Sequence, residues 1–186
     1  MTQAATLRVI AGELKGRRLV GPSWDGLRPT SDRLRETIFN VLAPHIPGAR
    51  VLDAYAGTGA VGIEALSRGA AHVTFAERDP RAVTLIEHNL TRCGVQDRYT
   101  VLRADVSTGH LPGLFDIVFL DPPYTVEPGE AIGAVAGLVD EGGRLVIEHA
   151  RKAEPPESVG PFTRTRTLRS GDSTLTIYRT REPVNL

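Results

Sequence analysis

The stretch "RVLDAYAGTGAVGIEALSRG", residues 50–69, decides the fold of this 186-residue chain. Its apolar first part predicts a buried strand, and its second part predicts a helix. Between them, Gly57, Gly59 and Gly62 match the pattern G-x-G-x-x-G, which brings the N-terminus of a helix close to a ligand. A strand, a glycine-rich turn and a helix in this order predict the first β-α unit of an α/β domain.

Further units of the same kind follow along the chain. The predicted strands are residues 50–57, 72–79, 99–105, 115–121 and 144–150, and the predicted helices are residues 59–69, 80–94 and 130–143. Such alternation indicates a parallel sheet with helices on both faces. Two alternating segments in residues 162–180 flank Ser170, Gly171 and Asp172, which predicts a terminal β-hairpin. We therefore predict a Rossmann-like α/β fold with a seven-stranded, mostly parallel sheet that contains one antiparallel strand.

The N-terminal part of the chain has a different pattern. Residues 1–28 alternate around a turn with Gly and Lys, and we predict a basic β-hairpin extension there, with the main domain over residues 29–186. A helix is predicted over residues 30–43, with Thr30 or Ser31 as its N-cap. Its apolar stripe, which would pack on the main domain, consists of Leu34, Ile38, Val41 and Leu42.

Charge and composition narrow the class of protein. Residues 1–50 carry a net charge of +4, residues 51–161 carry −7 and residues 162–186 carry +3, so the chain is neutral as a whole. Basic ends around an acidic middle indicate an anionic partner, although solvated faces give the same pattern. No apolar run approaches the roughly 18 residues of a membrane span, and a single cysteine excludes an internal disulfide framework. The histidine spacing predicts no metal site, and we expect a soluble cytoplasmic protein.

Four acidic residues lie where predicted strands end: Asp53, Glu77, Asp105 and Asp121. Ligands of such sheets bind outside the carboxyl ends of the strands. A carboxylate four residues before Gly57 would repel a dinucleotide pyrophosphate, whereas it attracts the sulfonium and ammonium groups of S-adenosylmethionine. Glu77 is placed to accept from ribose hydroxyls, and Asp105 to accept from the adenine amino group. S-adenosylmethionine is therefore favoured over NAD, which stays the alternative.

The sequence "DPPY" after the fourth strand indicates the reaction. The Asp121 carboxylate and the Pro122 carbonyl can accept from both N–H groups of an exocyclic amine, so that its lone pair faces the methyl donor. Pro122 and Pro123 fix the backbone that carries these acceptors, and Tyr124 offers a ring on which a flipped base can stack. The tetrapeptide predicts methylation of an amino nitrogen without naming the base. Adenine N6 in DNA or RNA and a glutamine side-chain amide stay open as targets.

Four segments together are specific to one family. The chain resembles the RsmD family over residues 7–178, through four segments in this order: "RVIAGELKGRRL", "LRPTSDRLRETIFNVL", "LDAYAGTGAVGIEALSRGA" and "FLDPPY". The most discriminating part is "RPTSDRLRETIFN". This is a family of bacterial methyltransferases that act on a guanine N2 of 16S ribosomal RNA. The resemblance implies S-adenosylmethionine as cofactor, a basic N-terminal hairpin that contacts RNA, and the assembled or late-assembling small (30S) subunit as substrate. We expect a monomer.

The resemblance also implies roles for individual residues. The expected cofactor-binding residues are Asp53, Ala56, Gly57, Thr58, Gly59, Glu77, Arg78, Asp105, Thr30 and Arg35. The expected catalytic residues are Asp121, Pro122, Pro123 and Tyr124, and the expected RNA-binding residues are Arg8, Lys15, Arg17, Arg18, Arg28 and Arg33. From other classes, an NAD-dependent oxidoreductase and a non-catalytic RNA-binding module are the alternatives, and neither explains Asp121.

Overall fold

A computed structural model describes residues 7–25 and 31–180 of the protein. The strands within them are β1 (Arg50–Ala54), β2 (His72–Glu77), β3 (Tyr99–Arg103), β4 (Phe115–Leu120), β5 (Val139–Ala150), β6 (Ser158–Val159), β7 (Phe162–Ser170) and β8 (Ser173–Thr180). The α-helices are α1 (Asp32–Leu42), α2 (Ala60–Ser67), α3 (Pro80–Arg92) and α4 (Pro128–Val135). Short 3-10 helices cover Ala43–His45, Val106–Thr108 and Ala136–Leu138. The Rossmann-like alternation predicted from the sequence is confirmed.

The described strands form one sheet in the order β3-β2-β1-β4-β5-β8-β7-β6. Strands β1 to β5 pair in parallel, and β8 pairs with β5 in the antiparallel direction. The predicted count of seven strands is wrong by the two-residue β6, which covers the start of the otherwise open edge strand β7. Both β8 and β6 run antiparallel to β1, so the described sheet contains two antiparallel strands where one was predicted. The strand order reverses between β1 and β4, which is where such sheets bind ligands.

Helices lie on both faces of the sheet, as predicted. One apolar core combines α1, α2 and α3 with one sheet face, and it includes Phe39 and Phe119, whose ring centres are 5.5 Å apart. The other core places α4 against the opposite face, around Val118 and Ile132. The predicted cap of α1 is confirmed at Ser31, whose Oγ accepts from the Leu34 amide, whereas Thr30 lies outside the described residues. Burial of both sheet faces explains why β1 to β4 read as short apolar runs.

The predicted helix over residues 130–143 is too long. Helix α4 ends at Val135, and β5 already begins at Val139. Gly142 has φ +70°, in the left-handed region that a helix does not use. The register of β4 with β5 jumps between Phe115 and Ile117, so the "DEGG" residues are accommodated as an irregularity of the strand.

The N-terminal segment doubles back on itself without forming the predicted ladder. The Val9 amide donates to the Arg17 carbonyl and the Leu19 amide to the Leu7 carbonyl, but residues 7–25 contain one isolated antiparallel bridge and no strand. The reason is competition from α2, because the Ile10 and Ala11 amides donate to the Glu64 carboxylate at 2.7 and 3.0 Å. Further contacts reinforce this docking. Gly12 lies so close to α2 that a Cβ atom would come within 1.9 Å of the Ser67 carbonyl oxygen.

Candidate active site

A cleft of about 780 Å³ opens at the carboxyl ends of β1, β4 and β5. Its walls are the glycine loop after β1, the "DPPY" turn after β4, the start of α1 and the turn between β7 and β8. The predicted site residues that line it are Asp53, Ala56, Gly57, Thr58, Glu77, Arg78, Arg33, Asp121, Pro122, Pro123 and Tyr124. The fold thus brings segments that are far apart in the sequence into one cavity.

The glycine loop is braced by the protein's own acidic side chains. The Gly57 amide donates to Glu77 Oε2 at 3.0 Å, and the Gly62 amide donates to Asp53 Oδ2 at 2.8 Å. The Gly59 amide donates to the Ala56 carbonyl, and Gly59 itself starts α2 with φ +75°. All three glycine amides of the motif therefore have partners inside the protein. This leaves them unable to cradle a phosphate in the way that a dinucleotide-binding loop does.

Asp53 is the buried acid of this loop. Its residue is 4% exposed, and burial raises the pKa of its carboxyl group to about 7. The bond from the Gly62 amide lowers this pKa, and the charge of Glu77 raises it further. A cationic group in the cleft would favour the ionised carboxylate. This half of the cleft therefore suits a cation, because it offers the buried Asp53 carboxylate and the half-buried Glu77 carboxylate, while its glycine amides already have internal partners.

The "DPPY" turn forms the other half of the cleft. Asp53 pairs with Phe119 across β1 and β4, so the side chain of Asp121, two positions further on, lies on the same sheet face as that of Asp53. Pro122 is buried, and the Val126 amide donates to the Pro123 carbonyl at 2.9 Å, which closes a turn. Tyr124 is 61% exposed, unusually open for a large ring that lines a cavity. The ring is therefore free to contact a bound partner.

Parts of the wall had not been predicted from the sequence, and two of them come from the C-terminal half of the chain. Glu148 of β5 lines the cleft, and so does the turn formed by residues 171–173 of the terminal hairpin. Leu120 pairs with Ile147, so Glu148 lies beside Asp121, and Ala150 pairs with Ser173, which brings the hairpin turn to the same sheet edge. The one available signal was a carboxylate inside the apolar run "LVIEHA".

Several predicted residues take other positions. Asp105 does not line the cleft; its carboxylate accepts from the Ser107 amide and hydroxyl, contacts that hold the pKa of Asp105 below its usual value. Arg78 connects it to the cleft through a 4.0 Å ion pair. Arg35 is fully buried and donates to the Arg8 carbonyl at 2.8 Å and to Asp32. Gly59 also does not line the cavity, and Arg28 and Thr30 lie outside the described residues.

The predicted RNA-binding residues differ in how freely they are exposed. Arg8 pairs with Asp32 at 3.5 Å. Lys15, Arg17, Arg18 and Arg33 are exposed, and within the described part of the chain none of these four forms an ion pair. Arg166 and Arg169 are also exposed, on β7 near the hairpin turn. Both basic parts of the sequence, near the N-terminus and near the C-terminus, therefore carry basic side chains at the described surface.

Asn89 connects the N-terminal segment to the glycine loop, a role with no signal in the sequence. Its side chain is fully buried in α3. The amide nitrogen donates to the Val20 carbonyl at 3.0 Å and to the Thr58 carbonyl at 2.9 Å, and its oxygen accepts from the Val20 amide at 2.8 Å. The N-terminal segment is thus held against the loop that forms one wall of the cleft.

Trp24 of the N-terminal segment also lies at the cleft. Its ring lines the cavity, and the Arg81 guanidinium carbon lies 5.0 Å from the ring centre. Within residues 7–25 and 31–180, no group of three or more His, Cys, Asp or Glu residues is arranged to hold a metal ion. No helix in the described part of the chain has the length and apolar character needed to cross a membrane.

Comparison with known proteins places these features in a family. Residues 7–179 match the family described as Conserved hypothetical protein 95. "Putative rRNA methyltransferase YlbH" of Bacillus subtilis (strain 168) is 37% identical over 183 residues, which cover 94% of this chain and 100% of that protein. "Ribosomal RNA small subunit methyltransferase D" of Escherichia coli (strain K12) is 46% identical over 125 residues, which span 63% of this chain and 60% of that protein.

Solved structures agree with the sequence comparisons. "Putative methyltransferase yhhF from Escherichia coli" superposes with a TM-score of 0.82 at 33% identity, and the match covers 95% of this chain and 98% of that one. The structure described as "a putative RNA methyltransferase PH1948 from Pyrococcus horikoshii", at 22% identity and a TM-score of 0.71, shares the fold. The whole described domain, with its N-terminal segment and terminal hairpin, therefore has counterparts of known structure.

Proposed function

The chain belongs to the family described as Conserved hypothetical protein 95, the RsmD family that its motifs resemble, and we propose that it methylates ribosomal RNA. The proposed reaction transfers a methyl group from S-adenosylmethionine to the exocyclic N2 amine of one guanine in the 16S RNA. The names of the relatives support ribosomal RNA as the substrate. The finer assignment to guanine N2 rests on the family resemblance, and the geometry described below supports an exocyclic amine as the target.

One observation carries the proposal: carboxylates from two neighbouring strands face the same cleft from opposite sides of the point where the strand order reverses. Asp53 lies in the last part of β1, before the glycine loop, and Asp121 follows β4 into the "DPPY" turn. The first carboxylate suits a cationic cofactor, and the second suits an amine with N–H groups to donate. A methyl transfer from a sulfonium to an amine needs these two groups side by side.

The glycine-loop half of the cleft would hold the cofactor. S-adenosylmethionine supplies an electrophilic methyl group on a sulfonium when it is bound. Asp53 would face its positive charges, and the Glu77 carboxylate, already fixed by the Gly57 and Asp79 amides, would accept from ribose hydroxyls. Because the three glycine amides have internal partners, this loop disfavours the pyrophosphate of NAD. This argues against the oxidoreductase alternative.

The "DPPY" half would hold the target base. The Asp121 carboxylate and the Pro122 carbonyl would each accept one N–H of the amine, which directs its lone pair towards the methyl group. The exposed Tyr124 ring would stack on the base once it leaves its helix. Catalysis in this scheme is mainly positioning, because the sulfonium is already activated.

RNA would approach over the basic surface at the N-terminus. Lys15, Arg17 and Arg18 are exposed and form no ion pair with any residue that the structure describes, and Arg33 reaches the cleft itself. Phosphate contacts of this kind supply affinity and orientation without reading sequence. The proposal extends to the assembled or late-assembling 30S subunit as substrate, to a monomer as the active form, and to the cytoplasm as its location.

The decisive experiment measures transfer of a tritiated methyl group from S-adenosylmethionine to 30S subunits that lack the modification, followed by identification of the labelled nucleoside. We expect label in N2-methylguanosine of the 16S RNA, and no label in subunits that already carry the methyl group. Label in N6-methyladenosine would show that adenine, the alternative base, is the target. Absence of any label, with calorimetric binding of NAD and not of S-adenosylmethionine, would overturn the proposal.

A further inference from the structure

The N-terminal segment runs along helix α3 and reaches the cleft. Near the C-terminal end of the helix, Arg92 Nε donates to the Arg18 carbonyl at 3.1 Å, and the Asn89 side chain holds the segment further along. The 13 residues of α3 rise about 18 Å, and residues 18–24 span at most about 20 Å when extended. The segment is therefore extended along the helix, and Trp24 is held at the start of α3.

A fixed cation supports the Trp24 ring there. The Arg81 guanidinium carbon lies 5.0 Å from the ring centre, within the range of a cation–π contact. The same guanidinium donates to both carboxylate oxygens of Asp79, from Nη2 at 2.8 Å and from Nε at 3.1 Å. Asp79 in turn caps α3 by accepting from the Arg81 amide at 2.9 Å. The ring is thus packed against a side chain that the helix start holds in place.

These contacts place Trp24 in the glycine-loop half of the cleft. The Asp79 amide donates to Glu77 Oε1 at 2.9 Å, so the support of the ring is joined directly to the end of β2. Strands β2 and β4 lie on opposite sides of β1, which separates the end of β2 from the "DPPY" turn by about 10 Å. Trp24, Glu77, Asp79 and Arg81 all line the cavity. The ring therefore lies beside the proposed ribose acceptor and away from the target base.

The position of the ring decides which part of the cofactor it can meet. Methyl transfer requires the sulfonium to lie towards Asp121, where the target amine would be held. The ribose would lie at Glu77, so the adenosine part of the cofactor occupies the end of the cleft that Trp24 lines. Ribose carbons and adenine offer apolar and aromatic surface, which packs well on a half-buried indole.

We propose that the Trp24 indole packs against the adenosine part of S-adenosylmethionine. The N-terminal segment then has two roles, because it forms a wall of the cofactor site as well as the expected RNA-binding surface. This inference rests on the proposed function, since it assumes that S-adenosylmethionine binds in this cleft. It adds a cofactor contact that lies outside the glycine loop and outside the acids at the strand ends.

The fluorescence of the protein gives a direct test, because Trp24 is the one tryptophan of the chain. S-adenosylhomocysteine is titrated into the wild-type protein while tryptophan emission is recorded, and acrylamide quenching is measured with and without the ligand. We expect a saturable change in emission with the Kd that calorimetry gives, and weaker quenching in the complex. Emission and quenching that stay unchanged at saturation would overturn the proposal.

Variants then measure the contribution of the ring. Trp24→Ala should raise the calorimetric Kd for S-adenosylmethionine and for S-adenosylhomocysteine about tenfold each, whereas Trp24→Phe keeps a ring and should stay within about threefold of the wild type. The control is Leu114→Ala, which removes an exposed apolar side chain next to Phe115, at the end of β4 opposite to the cleft. It should leave both Kd values unchanged. Circular dichroism checks that each variant is folded.

The pattern of results separates the possible partners of the ring. Equal weakening for the two ligands identifies adenosine, which they share, whereas weakening for S-adenosylmethionine alone would assign the ring to the sulfonium and refute the proposal. If Trp24→Ala binds both ligands normally and binds 16S RNA more weakly, the partner is RNA and the proposal is refuted as well. If the wild-type protein binds neither ligand in calorimetry, the proposed function itself fails.

Discussion

The two halves of the cleft are built in opposite ways. In the glycine-loop half, the carboxylates of Asp53 and Glu77 already bind backbone amides, and the loop is buried between β1 and α2. In the "DPPY" half, Tyr124 is 61% exposed, and Asp121 lies beside Glu148 in the open cavity. The first half is complete before any ligand arrives. The second half presents an exposed ring surface to the cavity.

This difference follows from what each half has to bind. A cofactor of constant shape is best met by a preorganised loop, because no conformational entropy is then lost on binding. A base that has to leave an RNA helix needs room to enter. Substitutions in the two halves should therefore change different measured quantities: stability and cofactor binding in the first half, and turnover in the second.

The largest effect is expected for Asp121→Asn in the open half. Loss of one preorganised acceptor, with an amide in its place, should lower kcat roughly 100-fold or more, while the Kd for S-adenosylmethionine changes little. Methyl transfer and calorimetry measure the two quantities. Asp116→Asn is the control on the same strand; Asp116 pairs with Arg50 at the far end, and its loss should leave kcat unchanged. Normal turnover in Asp121→Asn would remove the proposed role of the "DPPY" turn.

Gly62→Ala should damage the preorganised half through packing. A Cβ atom at Gly62 would lie 2.2 Å from Phe75 Cε1 and 2.9 Å from Val73 Cγ1, both buried in β2. Overpacking of this kind should lower the free energy of unfolding by about 1–3 kcal/mol and weaken cofactor binding. Urea denaturation followed by circular dichroism measures the loss.

Gly133→Ala is the matched control for this change, since Gly133 is exposed in α4 and a Cβ atom there meets no atom within 4 Å. It should stabilise the protein by about 0.5–1 kcal/mol. Equal effects of the two substitutions would show that the glycine loop is not tightly packed.

Asp53→Asn should separate stability from binding in the same half. The pKa of Asp53 is raised to about 7 in the folded protein, above its ordinary value of 3.8, so its protonated form stabilises the fold. That contribution is present at low pH and is lost as the pH rises to about 7. Above pH 7 the variant should therefore be more stable than the wild type, by a few kcal/mol at most, yet bind S-adenosylmethionine more weakly. Parallel stability curves for the two proteins between pH 4 and pH 8 would contradict the raised pKa.

The smallest effect is expected at the surface that would bring RNA to the open half. Replacement of Lys15, Arg17 and Arg18 by Gln should reduce the slope of log K against log salt by about 2–3, with kcat at saturating RNA unchanged. Filter binding at several salt concentrations measures the slope. Arg50→Gln is the control, because Arg50 is already paired with Asp116 and Asp140. An unchanged slope would show that RNA contacts another surface of the protein.

Local patterns were sufficient for much of the fold. The strands β1 to β4 and the helix α3 were predicted to within three residues, because a strand buried on both faces is a short apolar run and Pro80 and Gly94 punctuate the helix. The end of α4 was not predicted, since "VDEGG" enters β5 through an irregular register. The N-terminal segment folds back as predicted but keeps a single bridge within the described residues, because the Glu64 carboxylate in α2 accepts from backbone amides that a longer ladder would have used.

The sequence by itself determined the Rossmann-like alternation, the glycine loop and the acids at the strand ends, because each of these features depends on a few consecutive residues. Tertiary structure alone decided which acids meet. Glu148 is 27 positions from Asp121 along the chain and becomes its neighbour through the pairing of β4 with β5, whereas Asp105 is turned away to cap its own 3-10 helix. Register between strands is set by the packing of the whole sheet, so no local pattern reveals it.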